Sequence, residues 1–207
     1  MKQLSAWMRE PVARAAAQFL RVICYFVIGF FLLGLLLSAL GRQTFELHTG
    51  EGVYERAIYA EENHEPASRS LTVTSPDSVY VWAQDGEIDP AVRVFLVLLY
   101  AVNAVPLVAA YWILSRVFAN IHRGEIFSQR NAAGLLYYGL LQLFTALLVP
   151  FLKLGLCGLF NLFSQSRIAL STGQNLLNNA IPSIAVLVAA YILSYGVSLQ
   201  DEVDHTL

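Results

Sequence analysis

Four long apolar runs alternate with polar stretches along the chain, at about 19–40, 92–114, 134–160 and 181–199. Roughly 20 helical residues cross a hydrocarbon core about 30 Å thick, so each run is long enough to span a bilayer. Backbone groups in hydrocarbon must find partners within their own segment, which makes the runs helices rather than strands. Basic residues precede the first run and Ala39-Leu40-Gly41 follows it, an outline shared with signal peptides. Its apolar stretch of about 19 residues exceeds the roughly 7–15 of a signal-peptide core, so it reads as a retained anchor.

The longest polar stretch, 41–90, lies between runs one and two. Its first half is acidic. In its second half, Leu71-Thr72-Val73-Thr74 and Val79-Tyr80-Val81-Trp82 are rich in β-branched and aromatic residues, and Ser75-Pro76-Asp77-Ser78 between them has turn chemistry. This predicts a β-hairpin with strands near 70–74 and 79–83. A lone hairpin is marginal in water, so it needs the first half to pack on, with a strand near Val53–Tyr59. The expected fold is mainly α and integral to a membrane. It is a single membrane domain over 1–207, built as a four-helix transmembrane bundle with a small β-containing extracytoplasmic insertion at 41–90.

Composition agrees. Of 207 residues, 57% are hydrophobic and 14% charged, with mean hydropathy +0.55, whereas soluble domains carry about 25% charged residues. A net charge of −2 leaves no basic field for a phosphate backbone, so direct nucleic-acid binding is not expected. The only two cysteines, Cys24 and Cys157, lie in apolar runs and read as small buried hydrophobes rather than a disulfide framework. Basic residues are dense before run one (Lys2, Arg9, Arg14) and in the short connection between runs two and three (Arg116, Arg123, Arg130). By the positive-inside rule both termini are cytoplasmic.

Catalytic chemistry is sparse. All four histidines lie outside the runs, no Asp or Glu lies within one, and HExxH, GxSxG, CxxC and P-loop motifs are missing. No catalytic residue, metal site or cofactor is expected, and the chain does not read as an enzyme. His48, Glu61, Glu62, His64 and Glu65 match no closed zinc spacing and read as a solvated acidic loop. Lys153 is the one ionisable residue deep in a run, placed to snorkel towards the outer interface. Arg21 and Arg93, at run starts, read as interface anchors. Asn103 and Gln142 are candidate interhelical contacts, and Pro106 and Pro150 are candidate kinks. Gly34 with Ser38, and Ala190 with Ser194 and Ser198, form small-residue stripes suited to close helix packing.

The connection Leu114–Gly139 reads as helix end, turn and helix start. Gly124 suits the left-handed position after a helix. Ser128 suits an N-cap, and Phe127 before it is placed to staple onto the first turn. Arg116-Val117-Phe118-Ala119-Asn120-Ile121, Gly124, Ile126-Phe127-Ser128 and Asn131, with the acidic ending Leu199–Leu207, resemble a bacterial family of four-span membrane proteins, the domain of unknown function numbered twenty-nine seventy-five. The resemblance implies a bacterial inner membrane and a cytoplasmic partner of the helix-turn-helix regulator type. It supplies no catalytic residues. Four spans with a β-containing first outer loop also resemble claudin-type proteins, in architecture only, because the paired-cysteine signature is missing.

Two functions fit. The first is a non-enzymatic interaction or regulatory component of the membrane, with Arg116, Arg123, Arg130, Asp201, Glu202 and Asp204 forming one cytoplasmic contact surface. The alternative is a small channel, permeability factor or membrane-acting toxin. It would work as a homo-oligomer, with Asn103, Gln142 and Lys153 lining the path. The lipid bilayer is a partner in both.

Overall fold

The computed structural model describes residues 10–59, 71–83, 88–171 and 176–206. In chain order the elements are α1 (Glu10–Ala39), β1 (Gln43–His48), β2 (Val53–Ile58), β3 (Val73–Thr74) and β4 (Ser78–Trp82), then α2 (Pro90–His122), α3 (Gln129–Leu147), α4 (Val149–Phe163), β5 (Arg167–Ser171) and α5 (Leu176–Thr206). Among the described residues the protein is mainly helical with one small sheet, and three helices are long and apolar enough to cross a membrane: α1, α2 and α5. The third apolar run is split into α3 and α4, bent by 44° at Leu148. Pro150, in the first turn of α4, lacks the N–H that would bond back across the break.

The chain divides into two compact units. The unit of 31–105 and 145–176 holds the sheet. Its strand order is β2-β1-β4-β5, with β3 also on β1. The expected hairpin does not form. β3 and β4 do not pair with each other. Both run parallel to β1, β3 beside Gln43 and Thr44 and β4 beside Glu46 to His48. The Ser75-Pro76-Asp77 segment therefore interrupts one edge-on pairing instead of reversing the chain. A strand does form at Val53–Ile58, antiparallel to β1 with an irregularity between Phe45 and Leu47. The sheet is not confined to 41–90, because β5, from beyond α4, pairs antiparallel with β4.

Strand alternation places the core of this unit. Phe45 and Leu47 of β1, Val79 and Val81 of β4 and Ile168 of β5 face inward onto Val92, Phe95, Leu96 and Leu99 of α2 and Cys157 of α4. A smaller cluster joins Val73, Tyr100 and Ala104 to Phe31, Leu35 and Leu37. Gly34 lets α1 approach α2 closely, since a Cβ there would lie 1.9 Å from the Tyr100 hydroxyl oxygen. α1 ends on Gly41 (φ 76°), with Arg42 N–H donating to Leu37 O and Gly41 N–H to Ser38 O. This paired cap turns the chain into β1. Arg93 is not merely an interface anchor: its guanidinium donates to Ala39 O over 2.6 Å, capping α1 with positive charge.

The other unit, 1–30, 106–144 and 177–207, is helical among its described residues. Small residues set its packing. A Cβ on Gly134 would meet Val117 at 2.5 Å, and one on Gly139 would meet Leu187 at 2.8 Å, so α3 lies tight against α2 and α5. Ala17, Cys24, Ala110, Ala132 and Ala190 are buried, while Phe19, Phe26, Phe30, Tyr191 and Ile192 are exposed. Large apolar side chains facing outward from long apolar helices suit a lipid environment.

Candidate functional site

The α2–α3 turn is built from residues that pre-set its shape. α2 ends on the same cap as α1: Gly124 at φ 96°, its N–H to Ile121 O, and Glu125 N–H to Asn120 O. Ser128 caps α3, its Oγ accepting the Asn131 N–H at 3.3 Å. Asn131 is fully buried beneath the turn. Its amide donates to Glu125 O and to Ile126 O (3.1 Å), and its Oδ1 accepts Asn120 Nδ2 at 3.0 Å. One side chain thus satisfies carbonyls that neither helix can reach. The turn is further tied to α1, where the His122 ring Nδ1 donates to Arg14 O at 3.1 Å.

This clasp displays Arg123, Ile126, Phe127 and Arg130, all exposed. Phe127 is 65% exposed, so the expected staple onto α3 is not made. The clasp from Asn131 already fixes the entry angle that a staple would set. Arg116 is exposed about two turns up α2, with its guanidinium 5.4 Å from the Trp112 ring centroid. Glu202 is exposed on α5, and the side chains of Asp201 and Asp204 lie outside the described residues.

In the sheet-bearing unit, Lys153 does not snorkel. It is 2% exposed, and its Nζ donates to Asp77 Oδ2 over 2.6 Å. Asp77 hangs inward from the interruption between β3 and β4, so the ammonium reaches a counter-charge without reaching water. The sequence pattern places Asp77 in a hairpin turn and so does not reveal its buried role. The available signal was its phase: 73, 77, 79 and 81 fall on one side of an alternating pattern, with three valines as companions.

Gln142 donates to Tyr138 Oη at 3.2 Å on its own helix, and the Tyr138 ring meets Tyr111 of α2 edge-on at 6.0 Å. Asn103 is half-buried on α2. Ser38 is buried and donates to Gln43 Oε1 at 2.6 Å, and Ser198 donates to Tyr195 O at 2.8 Å. Both cysteines are buried, and the Cys157 thiol donates to Ile168 O at 3.0 Å. On the outward face of the sheet, His48 stacks on Trp82 at 4.8 Å and lies 3.0 Å from Glu46 Oε1. Glu61, Glu62, His64 and Glu65 lie outside the described residues.

Long apolar helices, a small sheet and structural polar clasps define the class: a helical protein with the composition of a membrane protein. The chain belongs to the family described as protein of unknown function DUF2975, whose model matches residues 78–207. That stretch contains the whole clasped turn. No curated protein and no solved structure matches the chain.

Proposed function

We propose that this protein is a four-span component of a bacterial inner membrane that acts through contact rather than catalysis. The clasped turn between α2 and α3 is its cytoplasmic contact surface. Strand pairing supports the span count. β4 precedes α2 and β5 follows α4, and the two are hydrogen-bonded neighbours in register from Ser78–Ser171 to Trp82–Arg167. The sheet lies on one side of the bilayer, so the chain between these strands crosses an even number of times. α2 is one crossing, and the bent α3–α4 pair is the other. α1 and α5 then carry both termini to the opposite side, the side of Arg116, Arg123 and Arg130, in keeping with the positive-inside rule.

The observation that carries the contact reading is the turn itself. A fully buried asparagine with three side-chain hydrogen bonds holds a short segment rigid, and that segment presents two arginines and two apolar side chains outward. Arginine and aromatic residues are enriched where partners bind, and pre-ordering lowers the entropy cost of binding. The partner we propose is a cytoplasmic protein of the helix-turn-helix regulator type. Co-expression with a candidate helix-turn-helix regulator, followed by capture in mild detergent, tests it. Wild type retains the regulator, and Arg123→Glu/Arg130→Glu loses it by at least about tenfold, as expected for two rim charges and about 1.4 kcal/mol. Equal retention by the charge-reversed variant overturns the reading.

A further inference from the structure

Ser38, Gln43, Ser75, Asp77 and Lys153 are all buried in the sheet-bearing unit. Two short hydrogen bonds run through them, Lys153 Nζ to Asp77 Oδ2 and Ser38 Oγ to Gln43 Oε1, each 2.6 Å. Among the described residues, two fully enclosed atoms of this group have no protein partner: Asp77 Oδ1, an acceptor, and Gln43 Nε2, a donor. Leaving either unmet is costly, and a buried ion pair is favourable only when its remaining lone pairs are satisfied.

Register places the two residues near each other. β1 pairs with β3 at Gln43–Val73 and Thr44–Thr74, then with β4 from Glu46–Tyr80 onward. Asp77 is three residues from Thr74 and three from Tyr80, so both ends of its segment are fastened beside the strand that begins with Gln43. Gln43, Phe45 and Leu47 are buried on the inner side of β1, and Asp77, Val79 and Val81 are buried on the same side of the neighbouring segment. Gln43 itself is opposite Val73, so Asp77 lies diagonal to it, and diagonal same-face neighbours are about 7–8 Å apart at Cβ, within reach of a long side chain and one bridging molecule.

The chemistry of the two atoms selects the ligand. A cation would face the Gln43 N–H and the Lys153 ammonium. An anion would face the Asp77 carboxylate. A small neutral hydroxyl species meets both needs, donating to Asp77 Oδ1 and accepting from Gln43 Nε2. We propose that Gln43 and Asp77 form an internal water-binding site that completes the Lys153–Asp77 pair and links β1 through it to α4. Internal waters characteristically bridge buried polar groups left without protein partners.

The sign of one stability change tests this. The full-length protein is melted in lipid nanodiscs, with Gln43→Met introduced into a Ser38→Ala background, where the Ser38–Gln43 bond is already gone. If a water satisfies Nε2, Gln43→Met strands that water and lowers Tm by about 2–4 °C. If Nε2 is an unmet donor, replacing it with an apolar isostere leaves Tm unchanged or raises it, and the proposal fails. Should the variant not fold, a wild-type structure at a resolution that shows ordered water decides. Density within about 3.2 Å of both Gln43 Nε2 and Asp77 Oδ1 is expected. Its lack, or a direct Gln43–Asp77 bond, overturns the site.

Discussion

Lys153 shows how a charge is tolerated in an apolar environment. With 2% of its surface exposed, its ammonium depends on one carboxylate, 76 residues away in the chain. Lys153→Met should leave Asp77 buried and uncompensated, costing about 3–5 kcal/mol. Lys153→Met/Asp77→Leu should recover most of that loss, because an apolar pair of similar volume needs no counter-charge. Thermal unfolding of wild type, single and double variants in one detergent checks the order. A single variant as stable as wild type would show that the pair carries no stability. At the turn, Asn131→Ala removes the hydrogen bonds to Glu125 O and Ile126 O and the acceptor for Asn120. A cost of about 1–3 kcal/mol and faster tryptic cleavage at Arg123 and Arg130 are expected.

Among elements, β5 is held by α4 rather than by its own sequence. The Asn161 side chain donates to Ile168 O and accepts from Ile168 N–H, both at 2.8 Å. This two-point clamp docks the strand where β4 can pair with it. Asn161→Leu should therefore raise amide exchange across Arg167–Ser171 at least tenfold, while exchange in α2 stays unchanged; uniform exchange across both would refute a local clamp. α2 begins on Asp89, whose Oδ1 accepts the Ala91 N–H and whose Oδ2 accepts the Ser164 hydroxyl, both at 2.9 Å. The bond from the Ala91 amide, then that from Ser164, holds its carboxyl below the usual aspartate range. A lowered folded value means the carboxylate stabilises the fold above about pH 3.9, and the contribution fades as pH falls from there through the folded value. Melting from pH 6 down to pH 3 should thus show a loss that Asp89→Asn, still able to cap but unable to titrate, reduces.

For the whole molecule, strand pairing and helix count make one joint statement about topology. Alkaline phosphatase fused after Glu51 or Gln165 should be active in the periplasm, and fused after Arg123 or Leu207 inactive. Activity after Glu51 without activity after Gln165 would contradict the β4–β5 pairing, because bonded strands share one side. Most of the helical plan was legible beforehand. Runs of Leu, Val, Ile and Phe announce helices because hydrocarbon permits little else, and Gly124 and Ser128 announce a turn because their caps are local chemistry. The proposed contact surface was legible only in part. Arg116, Arg123 and Arg130 were visible as charge, but the clasp from Asn131 that stiffens their segment joins residues from two helices.

What the sequence by itself determined is whatever depends on neighbours in the chain: the apolar helices, the strand at Val53–Ile58, the capped turn and the burial of Cys24 and Cys157. The tertiary structure alone decided the rest. Val73–Thr74 and Ser78–Trp82 look like two arms of a hairpin, yet both pair in parallel with β1. β1 carries Glu46 and His48 on its outward face and so resembles a polar loop until its inward Gln43, Phe45 and Leu47 meet α2 and α4. Asp77 looks like a turn residue and Lys153 like a snorkelling one until they find each other. Partners 30 to 90 residues apart leave no period in a local window, and which pairing wins depends on the surface that the assembled helices offer.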